Sequence, residues 1–119
     1  TKGTQRAAGN HCLGVAAGNM GDWAAAATAF LAARDEAAEP RFRARMGALA
    51  GSALLAQQQA AAALPVLNQA RTDASGDATL GAAIASDRAS ALVALARPAE
   101  AGEALAEARA LAPGDAQVW

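Results

Sequence analysis

The sequence predicts an all-α fold built from antiparallel helix pairs, and three observations carry that expectation. Of 119 residues, 40 are alanine, the best helix former, so few large side chains remain for a core. Only ten are Val, Ile or Thr and none is Tyr, which excludes an all-β fold. The third observation is a recurring trio of small, large and small residues: Ala26, Phe30, Ala33; Ala63, Leu67, Ala70; and Ala101, Leu105, Ala108. Intervals of four and three place each trio on one stripe of a helix. Small residues let two helix backbones approach, and the large one fills the gap opposite. Gly14, Gly51 and Ala89 supply the matching close approach on the partner helices.

The elements follow in chain order. A first helix is expected over Thr4–Asn19, ended by Gly21. Asp22 can accept a free first-turn amide, so a second helix is expected over Asp22–Glu36. Pro40 closes the first unit, and a third helix runs Arg41–Gln57. Gln57, Gln58 and Gln59 contain no helix breaker, so packing must bend the chain there. The fourth helix, Ala60–Thr72, has Pro65 assigned to its first turn, where a missing amide is tolerated. Asp73, Ser75, Gly76 and Asp77 form a turn cluster. The fifth and sixth helices span Ala78–Ala94 and Pro98–Leu111, with Pro98 suited to the first helical position.

The chain is one domain by length, and its net charge of −1 provides no field to gather nucleic acid or anionic lipid. The single cysteine excludes an internal disulfide and a multi-cysteine zinc site. No apolar run is long enough to cross a membrane. His11 and Cys12 are adjacent, so on a helix their side chains diverge by ~100° and do not form a nucleophile–base pair. Cys12 is expected to be a small buried hydrophobe, and Phe30 and Trp23 to matter most in a core short of large residues. Glu100, Glu103 and Glu107 read as a solvated acidic face. Arg41, Arg43 and Arg45 scatter around a helix start, where the dipole does not favour them. No carboxylate or histidine grouping converges as a metal site, and no glycine-rich phosphate loop follows a strand. No catalytic residue, cofactor or metal is expected.

Together Leu13–Gly14, Gly21–Asp22–Trp23, the three trios and the closing Leu111–Ala112–Pro113 resemble the tetratricopeptide repeat, a ~34-residue helix pair. The resemblance covers three copies, roughly 7–40, 44–77 and 82–115, with 116–119 starting a further repeat or cap. Corresponding residues lie 37 and 38 apart, and longer connections or an extra helical turn after Pro40 and Asp77 would absorb the excess. Arg88 departs from the pattern, standing where the family places a large apolar residue.

The resemblance implies a right-handed α-solenoid whose concave groove is lined by the first helix of each pair. That groove would present His11, Val15 and Asn19, then Arg45, Ala48, Ser52 and Leu55, then Ala83, Ser86, Ser90 and Val93. Relatives that clamp a chain-terminal carboxylate use lysines, arginines and asparagines at set groove places. Here those places hold His11, Val15, Leu49, Ala83 and Asp87, which excludes that clamp. The expected work is a non-catalytic protein–protein interaction scaffold, its partner a protein or peptide segment. The alternative is a structural or oligomerising stretch of a longer helical-repeat protein, self-associating through its terminal repeats. A start at Thr1 rather than methionine predicts a processed or excised piece. The Ala-, Arg- and Gly-rich composition is similar to that of GC-rich bacteria, and one cysteine suits cytoplasm or periplasm alike.

Overall fold

The computed structural model describes residues 2–112, and all of their regular structure is helical. The helices are α1 (Lys2–Asn19), α2 (Trp23–Glu36), α3 (Pro40–Ala56), α4 (Ala60–Asp73), α5 (Ala78–Ala94) and α6 (Pro98–Leu111). Both α5 and α6 have the limits expected from the sequence. Pro40 belongs to α3, at its first position, where proline has no amide to leave unpaired. The residues between the pairs thus lengthen α3 and α5 to 17 residues each rather than extending the connections. Pro113 and Trp119 lie outside the described residues.

One turn geometry joins the two helices of every pair. The amides of Asp22, Gln59 and Arg97 donate to the carbonyls of Ala17, Leu54 and Leu92 at 2.9, 2.9 and 2.8 Å. The residues just before them, Gly21, Gln58 and Ala96, all have left-handed backbones, with φ of 77, 59 and 59°. This is the helix-ending motif that satisfies the last carbonyls while reversing the chain. It recurs at the spacing of the sequence repeat. Only Gly21 adopts that conformation without steric penalty, and Gln58 and Ala96 each lose about 1 kcal/mol to it. Asp22 caps α2 by accepting from the Ala25 amide at 3.1 Å, whereas Gln59 and Arg97 make no side-chain cap. Gln58→Gly combined with Gln59→Asp copies the first turn into the second and should stabilise the fold by about 1–2 kcal/mol. Urea denaturation checks this; an unchanged or lower midpoint would show that the second turn is not strained.

Pro65 is a correction. It lies in the interior of α4 rather than in its first turn. It is exposed there, as is Ala61 four residues earlier, so water can reach the carbonyl that loses its partner.

Each helix packs on its neighbours in sequence, and α3 also packs on α5. Within the first pair a Cβ built on Gly14 would lie 2.5 Å from the Phe30 ring, and within the second a Cβ on Gly51 would lie 2.4 Å from Leu67. The missing side chains are what admit the large ones. In the third pair Ala89 is buried, yet Leu105 is 43 % exposed. Phe30 and Leu67 are buried on helices that a further helix packs against, α3 on α2 and α5 on α4, and α6 has no following helix among the described residues. Trp23 is likewise a correction: its ring lies against Gly18 on the surface and remains 41 % exposed.

Ion pairs tie the pairs internally and to each other. Arg6 binds Glu36, and the residues 37 further on, Arg43 and Asp73, repeat the contact at 3.8 Å. In the third pair the same place is taken by Gly81 against Leu111. Arg41 reaches Asp77 at 3.2 Å, so two of the three clustered arginines hold turns in place. Asp77 also caps α5. The Leu80 amide, with help from Arg41, holds its carboxyl below the usual range. Glu107 is more than part of a solvated face, because it accepts from Arg71 at 2.7 Å and forms an ion pair with Arg88 at 3.5 Å. Arg88, placed where an apolar residue was expected, also donates to Asn68 at 2.7 Å. Arginine can occupy that seam because its stem packs while its head finds Asn68 and Glu107.

Candidate functional site

Three helices, α1, α3 and α5, carry all the residues expected to line a groove, in rows whose registers match at His11, Ala48 and Ser86 and at Val15, Ser52 and Ser90, while Asn19 stands one place out of step with Leu55 and Val93. Helix α1 carries His11, Val15 and Asn19; α3 carries Arg45, Ala48, Ser52 and Leu55; α5 carries Ala83, Ser86, Ser90 and Val93. Steps of three and four keep each row on one side of its helix. Eight of the eleven are exposed, and His11, Ala48 and Leu55 are half-buried. The rows of α3 and α5 are brought together by direct packing of those helices. The row of α1 is tied in through His11, whose ring lies 6.2 Å from both Phe30 and Phe42, edge-on to the latter. His11 therefore sits in the seam between α1, α2 and α3.

Cys12 is a correction, for it is exposed. Gly14 faces Phe30, and a residue two places earlier is rotated ~200° around the helix, away from that contact. With Leu49 and Asp87 it forms a second row beside the first, at the same spacing of 37 and 38. Leu49 is 36 % exposed. Sequence reasoning placed no partner-binding role on this row. The signal was available in the spacing, but its three side chains share no chemistry.

The face is sparing in charge. Arg45 is exposed and has no ion-pair partner among the described residues. Ser90 donates back to the Ser86 carbonyl at 3.3 Å, so its hydroxyl is partly satisfied within the helix. Asp87 is half-buried without a described hydrogen-bond partner, and burial pushes its carboxyl above the ordinary value of 3.8. The folded chain therefore holds a proton there more readily than the unfolded chain. Stability tied to Asp87 is fullest below pH 3.8 and falls as pH rises through the elevated native value. Asp87→Asn should accordingly be more stable than the parent at pH 7, with the difference closing as pH drops toward 3.8. Thermal melts at both pH values check this, and a gap that widens in acid would contradict it.

Among the described residues no grouping of three or more His, Cys, Asp or Glu could hold a metal ion, and no helix is long and apolar enough to cross a membrane. What the face offers is a shallow, nearly neutral surface of small side chains, with one free cation, one reluctant anion and apolar places at Val15, Leu49, Leu55 and Val93. Comparison of the chain with family models, curated proteins and solved structures gave no match.

Proposed function

We propose that the chain is a non-catalytic protein–protein interaction scaffold made of three stacked tetratricopeptide-like hairpins, which binds a protein or peptide segment along the face of α1, α3 and α5. The observation that carries this reading is the shared register of His11, Ala48 and Ser86 and of Val15, Ser52 and Ser90 on the first helix of each pair, where most of each row is exposed. Three identical hairpin turns at the repeat spacing support the stacking, and with it a right-handed solenoid whose concave side is this face. Small side chains leave backbone room for a helix or an extended segment, and Val15, Leu55 and Val93 offer apolar anchorage. Arg45 favours a ligand with an acidic residue near the middle of its contact.

The test is selection of peptides from a random display library against the intact chain. Selected peptides should lose at least ~10-fold in affinity with Arg45→Glu and with Ser52→Arg, and be unaffected by Gln69→Arg on the exposed side of α4. Peptides indifferent to the first two substitutions but lost with the third would overturn the reading. A second reading, a structural or oligomerising stretch of a longer repeat protein, is favoured by the exposed apolar residues at the two ends of the array, Leu13 and Leu105.

A further inference from the structure

Asp87 is the one acidic residue of α5, and the fold leaves its carboxylate short of partners. It is half-buried, yet no described hydrogen bond or ion pair reaches it. All nine arginines of the chain lie among the described residues, and none pairs with it. Its neighbour Arg88 is turned about 100° around the helix. There Asn68 holds it at 2.7 Å and Glu107 at 3.5 Å. One turn to either side of Asp87 stand Ala83, Ser90 and Ala91, none long enough to fold over the carboxylate. The Ser90 hydroxyl is itself turned to the Ser86 carbonyl. The carboxylate has therefore given up water without gaining a partner, which is why it holds its proton above the ordinary value of 3.8. Among the described residues no grouping around it could hold a metal ion, so the partner that fits is a single cationic side chain. Helix α5 packs directly on α3, which carries Arg45. Residues 38 apart share a register on those helices, so Arg45 answers to Ala83, and Asp87 stands one helical turn beyond. The two charges do not pair with each other.

We infer that Asp87 seats a lysine or arginine side chain of the bound segment, so that the ligand carries a basic residue close to the acidic residue favoured by Arg45. The inference rests on the groove reading above and adds the second half of its charge pattern. Charge complementarity selects this occupant. A partly desolvated carboxylate gains more from a cation than an exposed one does, because less water screens the pair. The apolar stem of the lysine or arginine also finds Leu49, 36 % exposed at the equivalent place on α3. Opposite charges at two fixed places set the direction in which a segment lies, since a reversed segment would bring like charges together.

Peptides selected from a random display library against the intact chain at neutral pH test this. Those that require Arg45 and Ser52 should carry Lys or Arg at one shared place. Asp87→Asn should weaken them at least ~10-fold, and so should Gln in place of that basic residue. Both changes together should cost little more than either alone, because they remove one contact. Asp87→Lys should instead select peptides with Asp or Glu at that place, and circular dichroism checks that this variant keeps its helices. Asp87→Asn should meanwhile melt higher than the parent, a combination that damage to the fold would not give. Peptides that lose affinity with Arg45→Glu and Ser52→Arg, yet bind Asp87→Asn as tightly as the parent, overturn the inference and leave the groove reading standing. Peptides indifferent to Arg45, Ser52 and Asp87 alike overturn both, as does a library that yields no binder.

Discussion

Replacing Phe30 with alanine is expected to remove about 3–5 kcal/mol of stability, a large part of the ~5–15 kcal/mol typical of a whole domain. The reason is composition. Of the 24 buried apolar side chains among the described residues, 17 are alanine, so seven larger ones fill most of the interior. Phe30 is the only aromatic among those seven and is 5 % exposed. It occupies the space in front of Gly14, which has no side chain that could move into a vacated cavity. The void would stay open, which puts the loss toward the upper end. Urea denaturation with the parent slope measures it. A loss under about 1 kcal/mol would mean that the ring is not wedged between α1 and α2.

Gly51→Ala is expected to reverse the usual sign of its class. Alanine in place of glycine inside a helix normally gains about 1 kcal/mol. Here the new Cβ would meet Leu67 Cδ2 at 2.4 Å and Cγ at 2.6 Å. Leu67 is fully buried, so the leucine cannot swing aside into solvent. Overpacking of this kind costs about 1–3 kcal/mol, which outweighs the propensity gain. Because the loss comes from one contact, it should be non-additive. Gly51→Ala with Leu67→Ala should lose at least about 1 kcal/mol less than the sum of the single variants. Simple additivity would show that the two residues do not touch.

These two sites show how the sequence was readable. Trios at intervals of four and three located the helix-pair contacts, because only a helix brings such spacing to one face. Asp22 and Pro98 marked helix starts because the chemistry of a helix N-terminus is local, whereas Asp77, legible as part of a turn cluster, proved also to cap α5. The turn at Gln58 and Gln59 carried no local mark, and its left-handed residue is imposed by the packing of the helices on either side. The same limit explains the misplaced residues. Trp23 and Cys12 are residue types usually found inside, and their exposure depends on which stripe of the helix finds a neighbour. Leu105 matches Phe30 and Leu67 in sequence, but among the described residues no helix packs on α6 as α3 does on α2 and α5 on α4. The rows on α1, α3 and α5 were legible as helix positions; the lack of an ion-pair partner for Arg45 among the described residues and the burial of Asp87 depended on neighbours from other helices.

The proposed scaffold requires three hairpins laid side by side, not closed into a bundle. The most direct test is a spin–spin distance from the native Cys12 on α1 to a second label at Arg109→Cys on α6, with labelled chains diluted into unlabelled protein. Both positions are exposed, and the molecule measures 41 × 29 × 25 Å. Stacked hairpins predict a distance at least twice the ~10 Å that separates helices in direct contact. A narrow distribution near ~10 Å would place α6 against α1 and contradict the arrangement.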